Sequence, residues 1–301
     1  MKAIQFDRFG GPEVLHLTEI DVPQPGRGQV RVKVEAAGVN PLDGKVRSGA
    51  MQAAFSTALP SVPGYELAGV VDAVGEGVDD VKPGDEVVGW ADTGAYAQYA
   101  LASTVAMKPA DLSWQHAAAL PIAGATAERV LDLLEVREGE TVLIHGATGA
   151  VGTVAVQLAL ARGARVIGTA GSANQDYLSS LGATATTYGD GLVERVRALA
   201  PDGIDAVFDV AGKGALPDSI VLRGGTDRIV TIADFAASRL GVTFSSSPRE
   251  RSAAALAAQA QLAASGALVI PVTTYPLDQA AAAQQDSDAG HSRGKLVLTV
   301  A

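Results

Sequence analysis

The chain has 301 residues, of which 48% are hydrophobic and 19% charged, the balance of a globular protein long enough for two domains. Its 33 acidic and 23 basic residues leave a net charge of −10, which excludes a general nucleic-acid binder, since that needs a cationic field to displace phosphate counterions. There is no cysteine, so disulfides, thiolate zinc sites, iron–sulfur clusters and a cysteine nucleophile are excluded as well.

The segment Met1–Gly11 alternates apolar and polar residues and carries Asp7 and Arg8. It lacks the apolar core of a signal peptide and reads as a first strand. In Gln29–Val39, Val30, Val32 and Val34 alternate with Arg31, Lys33 and Glu35, which predicts a half-buried strand. Gly64–Val74 and Ala95–Leu101 read as further strands, with turns at Gly75–Gly77 and Lys82–Asp85. Short strands with Gly/Pro turns predict a partly open barrel or sandwich.

After Leu112 the rhythm changes. Helix Gly124–Leu134, strand Thr141–His145 and helix Ala150–Arg162 are followed by strand Arg165–Ala170, helix Asn174–Leu181 and strand Ala183–Thr187. Helix Leu192–Ala200 and strands Asp205–Val210 and Arg228–Ile232 come next. Such alternation predicts a parallel, doubly wound sheet. The uncharged stretch Ser252–Leu277 contains Gln259, Gln261, Ser265, Gly266 and Pro271, so it reads as an Ala-rich helix and a strand and not as a membrane span. From about Ala267 an apolar strand, a short helix Leu277–Gln285 and a last strand Lys295–Val300 end the chain. With neither leader nor span, the expectation is a soluble cytoplasmic protein.

The most informative segment is the turn between Thr141–His145 and its helix: Gly146, Ala147, Thr148, Gly149, Ala150, Val151, Gly152. Gly146 suits a tight turn, Gly149 admits a pyrophosphate against the backbone, and Gly152 lets the helix pack on the sheet. The helix N-terminus then offers free N–H groups and a positive dipole end to phosphates. The spacing G-x-x-G-x-x-G is a variant of the dinucleotide fingerprint. At the end of the second strand an NAD enzyme usually has an acid for the ribose hydroxyls. Here Thr169–Asn174 has none, and Ser172 can donate to a 2′-phosphate. NADP(H) is the expected cofactor; the same neutral loop also tolerates NAD(H).

These residues resemble the medium-chain dehydrogenase/reductases and, within them, the zinc-free quinone oxidoreductase (zeta-crystallin-like) branch. The resemblance is carried by Ala36–Asp43 (AAGVNPLD), Pro63–Val71 (PGYELAGVV) with Val74–Gly77, Gly84–Val87 (GDEV), Ala118–Pro121 with Thr126–Ala127, and His291–Leu298 (HSRGKLVL). It implies a GroES-like β-rich catalytic domain from residues 1–112 and 267–301, and a Rossmann NADP-binding domain from 113–266. It further implies an active site in the cleft between them and a homodimer. Zinc enzymes of the family have a Cys near Asn40–Asp43 and a His where this chain has Tyr65; both are absent, and the four histidines show no ligand spacing. No metal is expected. Without that Lewis acid the substrate must take hydride readily, as a quinone or an α,β-unsaturated carbonyl does.

For catalysis the candidates are Asn40, Tyr65 and Tyr96. Asn40 either bonds the cofactor ribose or substrate, or caps the helix starting at Pro41. Tyr65 either contacts substrate or fills the vacated zinc pocket, and Tyr96 either offers its phenol or packs with a satisfied hydroxyl. Asp43 reads as an early-helix acceptor of backbone N–H groups, and Arg293 and Lys295 as solvated or salt-bridged. Beside the loop Gly146–Gly152 and Ser172, the expected cofactor contacts are Asn40, Thr126, Tyr188, Val210, Ala211, Ile232 and Ala233. The resemblance implies the Tyr188 contact, near the adenosine phosphate. The expected activity is NADPH-dependent reduction of a quinone or enone. The alternatives are an enoyl-thioester reductase, for which Gly49–Ser61 is the variable lid segment, or a non-catalytic NADPH-binding sensor or structural protein.

Overall fold

The computed structural model describes residues 1–53, 56–246, 251–290 and 292–300. Ala54 and Phe55 of the expected lid segment, and His291 of the C-terminal motif, lie outside the described residues. In chain order the first strands are β1 (Lys2–Gln5), β2 (His16–Glu19) and β3 (Val30–Val39), then helix α1 (Pro41–Arg47). Strands β4 (Glu66–Val74), β5 (Glu86–Trp90), β6 (Tyr99–Ala102) and β7 (Thr104–Met107) lead to α2 (Trp114–Ala118) and α3 (Pro121–Leu133). The middle of the chain runs β8 (Thr141–His145), α4 (Ala150–Ala161), β9 (Arg165–Thr169), α5 (Gln175–Ser180), β10 (Thr184–Thr186), α6 (Leu192–Leu199) and β11 (Ala206–Asp209). It continues as α7 (Leu216–Arg223), β12 (Ile229–Thr231), α8 (Ala237–Leu240) and β13 (Thr243–Phe244). Last come α9 (Ala253–Ala264), β14 (Val272–Pro276), α10 (Ala280–Ala289) and β15 (Lys295–Thr299).

The chain divides into two compact units, Met1–Ile122 with Arg251–Ala301, and Ala123–Glu250. These bounds differ from those expected at 112 and 267. The Ala-rich helix α9 packs on β7 and α2 of the first unit, and its near-uniform apolarity gave the sequence no sign of which core it joins.

The first unit holds a mixed sheet in the order β14-β15-β3-β4-β5-β7, with β6 also paired to β3. Its core is the alternation read from the sequence: Val30, Val32 and Val34 point inward with Leu67, Val71, Val87, Leu296 and Leu298. The predicted strand Ala95–Leu101 forms only from Tyr99. Its first residues turn, with Ala95 and Tyr96 N–H donating to Gly64 and Pro63 carbonyls, which draws Tyr96 fully inside. Gly64 has φ +100° here, and a Cβ on it would lie 2.5 Å from the Tyr96 ring.

The second unit is a parallel sheet ordered β10-β9-β8-β11-β12-β13, the doubly wound topology whose strand order reverses beside β8. Helices α7 and α8 and the sixth strand β13 were not foreseen, because each is short and its apolar residues show no sustained period. Leu143, Ile167, Val207 and Ile229 from successive strands share one core with Leu192, Val196 and Leu216.

Candidate active site

In the second unit the glycine loop has the geometry its spacing implies. Gly146 takes φ +70°, and a Cβ there would lie 3.1 Å from that of Ala211. A Cβ on Gly152 would lie 2.2 Å from the Gly146 carbonyl oxygen and 2.8 Å from the Ala147 Cα, so only glycine brings α4 this close to the turn. At Gly149 the nearest atom to an added Cβ is 3.7 Å away; that glycine faces open space. Thr153 N–H donates to the Gly149 carbonyl. The preceding N–H groups of Ala150, Val151 and Gly152 belong to the first turn and have no helical carbonyl to meet. Ala147 and Thr148 are buried under the loop. The cradle therefore fits a pyrophosphate: bare backbone, unused donors and the positive end of a twelve-residue helix.

Val210, Ala211, Ile232 and Ala233 follow the C-terminal ends of β11 and β12, parallel to β8 and its glycine turn. Asp209, fully buried at the end of β11, accepts from Ala211 and Gly212 N–H (both 3.1 Å) and from Thr231 Oγ1 (2.7 Å). Thr231 in turn accepts from Ala233 and Asp234 N–H. This Asp209–Thr231 pair shapes the turns carrying Val210, Ala211, Ile232 and Ala233, and a Cβ on Gly212 would strike Ala233 at 2.6 Å. Neither residue was singled out from the sequence; an acid closing an apolar strand was the available signal. His145 is buried between Thr169 and Ser219, and burial holds its imidazole below the usual range, hence neutral. At the end of β9, Ser172 is exposed and the Tyr188 hydroxyl lies beside Gly171. The Gln175 amide bonds the carbonyls of Ala170, Gly171 and Thr186, which ties this corner to β10. Thr126 is half-buried on α3.

The first unit holds Asn40, Tyr65 and Tyr96 around a buried polar cluster. Asn40 stands at the N-cap of α1 in a capping box with Asp43, and its side chain also reaches inward. Its amide donates to Glu66 Oε1 at 2.8 Å and its oxygen accepts from Lys295 Nζ at 2.5 Å. Lys295 pairs with Glu66 at 2.5 Å, and Glu66 Oε2 accepts from Ile122 N–H in the first turn of α3 at 2.7 Å, where the helix dipole favours an anion. Glu66 is fully buried and Lys295 nearly so. The carboxylate reaches across β3 because residue 38 is glycine: a Cβ there would lie 2.3 Å from Glu66 Oε1. Lys295 is thus salt-bridged, one of the two roles the sequence offered for it, and Glu66 was missed. The clue was a charge at the head of an otherwise apolar strand.

Asp43 is as buried as its neighbours. Its Oδ2 accepts from Asn40 N–H (2.8 Å) and from the Tyr96 hydroxyl (2.8 Å), while Oδ1 has no partner. Burial pushes its carboxyl up to about 7 against these donors and the Lys295 charge. The expected helix-start acceptor is there, but in a setting that makes it a titrating acid. Tyr96 is enclosed completely, and burial and Asp43 keep its phenol neutral; it has no direct access to a substrate. Tyr65 is half-buried, and burial followed by the Asp43 charge pushes it up to about 12. Among the described residues no three His, Asp or Glu side chains gather as a metal site.

Three outcomes follow from this geometry. Gly152→Ala is expected to cost about 2 kcal/mol of stability through backbone overpacking and to weaken dinucleotide binding. Gly149→Ala is expected to weaken binding with an unchanged melting temperature, since its Cβ enters only the ligand's space; calorimetry and fluorescence titration separate the two. Lys295→Met should destabilise by roughly 3–5 kcal/mol, because it strands the Glu66 carboxylate, and adding Glu66→Gln should restore part of that loss in urea unfolding.

Residues 26–131 match the alcohol dehydrogenase GroES-like domain family, and residues 181–298 match the zinc-binding dehydrogenase family. A quinone oxidoreductase of Sus scrofa is 36% identical, covering 99% of this chain and 97% of the relative. The solved quinone oxidoreductase of Coxiella burnetii superposes with a TM-score of 0.88 at 34% identity, over 100% of this chain and 99% of the other. The Escherichia coli quinone oxidoreductase, solved in complex with NADPH, gives 0.87 at 28% identity over 99% of this chain and 100% of the other. With a GroES-like unit, a Rossmann unit and this similarity along its length, the chain belongs to the quinone oxidoreductase-like family of medium-chain dehydrogenase/reductases.

Proposed function

We propose that this protein is a zinc-independent, NADPH-dependent oxidoreductase that passes hydride to a quinone or an α,β-unsaturated carbonyl. The observation that carries the reading is the open pyrophosphate cradle at Gly149 in the same sheet as the acid-free corner at Ser172 and Tyr188. The quinone oxidoreductase relatives support the substrate class, and the Escherichia coli complex supports NADPH.

When bound, the dihydronicotinamide supplies the hydride. The N–H groups of Ala150, Val151 and Gly152 hold the pyrophosphate, and Ser172 donates to the 2′-phosphate beside Tyr188. The backbone turns at Val210–Ala211 and Ile232–Ala233, set by Asp209 and Thr231, orient the ribose and nicotinamide end, with Thr126 bonding the latter. In the first unit, Asn40 retains one amide N–H beyond its bond to Glu66, and Tyr65 carries the neutral phenol that meets the acceptor. No Lewis acid is needed, because the charge left on a quinone or enone delocalises over its conjugated carbonyl. The proposed assembly is a cytoplasmic homodimer paired through the edge strand β13, where Phe235 and Phe244 stack and Phe235 is 65% exposed. Light scattering should then give twice the 30.5 kDa chain mass.

The test is oxidation of NADPH and, in parallel, NADH by chelator-treated protein, with a quinone and a cyclic enone as separate acceptors. Turnover that survives chelation and favours NADPH is expected. Tight NADPH binding without turnover of either acceptor would overturn the reading and turn attention to a thioester reductase or a nucleotide sensor.

A further inference from the structure

His145 ends β8, an otherwise apolar strand, and immediately precedes the first glycine of the loop. The residue is 1% exposed. A ring nitrogen left unpaired in such a place is costly, and both are met. Nδ1 faces Thr169 Oγ1 of β9 at 3.3 Å, and Nε2 faces Ser219 Oγ of α7 at 3.0 Å. Two acids act on the ring, Asp209 at the end of β11 and Asp218 in the first turn of α7. Burial outweighs both and holds the imidazole below its usual range. At neutral pH the ring therefore carries a single proton, on one nitrogen.

The neighbours decide which one. Ser219 Oγ lies 2.7 Å from the carbonyl oxygen of Ala215. A carbonyl only accepts, so the hydroxyl hydrogen lies between these two oxygens and a lone pair is left for the ring. Nε2 is thus the protonated nitrogen and donates to Ser219, while Nδ1 accepts. On that side the Thr169 hydroxyl donates to Nδ1 and keeps its lone pairs for Gly146 N–H, at 3.4 Å. The bonds then run in one direction, from Gly146 N–H through Thr169, His145 and Ser219 to the Ala215 carbonyl.

The backbone adds to the connection. The Thr169 carbonyl accepts from Ala147 N–H at 3.0 Å, so Thr169 holds two successive amides of the glycine loop. The His145 carbonyl accepts from Val210 N–H at 3.1 Å, beyond the end of β11. Directly or through Thr169, His145 therefore ties together two of the backbone turns proposed above for the cofactor.

We propose that His145 is a positioning residue for the dinucleotide: with its proton on Nε2 and its lone pair on Nδ1, it orients the Thr169 hydroxyl toward Gly146 and so holds the glycine turn in the shape that receives the pyrophosphate. The inference rests on the dinucleotide reading of that loop. The opposite tautomer would set a bare nitrogen against the Ser219 lone pair and an N–H that competes with Gly146 for Thr169 Oγ1. His145 takes no part in the hydride step, and its effect is read in cofactor affinity.

The two amide side chains divide the functions of the ring. Asn sets an oxygen near the Nδ1 position and keeps the acceptor for Thr169, whereas Gln sets an NH2 near the Nε2 position and keeps the donor for Ser219. Fluorescence titration with NADPH of wild type, His145→Asn and His145→Gln, with a melting curve of each, separates positioning from packing. His145→Asn should bind within about twofold of wild type and His145→Gln about tenfold more weakly, although both melt lower. Thr169→Val should weaken binding by a similar factor, and Thr169→Ser should restore it. Equal affinities of the Asn and Gln variants, or a Thr169→Val protein that binds like wild type, overturn the proposal. Nitrogen-15 NMR of histidine-labelled wild type needs no variant to fold. The His145 ring, recognised as the imidazole that titrates at the lowest pH, should carry its proton on Nε2; a proton on Nδ1 overturns the proposal. Wild type that binds neither NADPH nor NADH, with the Nε2 proton in place, would instead overturn the dinucleotide reading of the loop and the positioning role with it.

Discussion

Glu66 is a carboxylate that water cannot reach, and much of the first unit is arranged to satisfy it. An unpaired charge in such a place costs several kcal/mol, so each of its oxygens must find donors. Oε1 takes Lys295 and the Asn40 amide, and Oε2 takes the Ile122 N–H. Those partners belong to β15, to the start of α1 and to the start of α3, so one side chain fixes four elements together. Gly38 is part of the same requirement, because any side chain there would occupy the path Glu66 follows across β3. The position of α1, and with it Asp43, is a consequence of this tie.

The two units solve similar problems with different means. In the second unit the surface proposed for the cofactor is backbone: a bare turn, unused helix N–H groups, and strand-end loops. Its buried side chains, Asp209 and Thr231, serve by accepting from those loops and holding their amides in place. In the first unit the candidate groups are side chains, and the internal network decides which of them are neutral. Asp43 receives its donors on one oxygen only, so the lowering effect of hydrogen bonds is outweighed by burial. The phenols of Tyr65 and Tyr96 are kept protonated by the same burial and by the same carboxylate.

A single residue can thus have a role that neither of its obvious sequence readings contains. Asn40 precedes a proline-led helix and looks like a cap or a ligand contact; it does stand at the cap, yet its side chain also joins Glu66 to Lys295. Tyr96 looks like a strand residue with a phenol to offer, yet the turn at Gly64 draws it inside, where it steadies Asp43. Both outcomes depend on partners far away in sequence.

What the sequence determined by itself was whatever is encoded over short spans. The alternation in Gln29–Val39, the glycine spacing at 146, 149 and 152, and the strand–helix rhythm after residue 112 each follow from local period or local backbone freedom. They were enough for the fold class, the geometry of the glycine turn and the missing acid beyond β9. The tertiary structure alone decided the rest. The pairing of Glu66 with Lys295 joins residues from opposite ends of the chain, and the assignment of α9 to the first unit depends on which core its uniformly apolar surface meets. The ionisation of Asp43 was equally hidden, since exclusion of water is a property of the packed interior and has no signature in a hexapeptide.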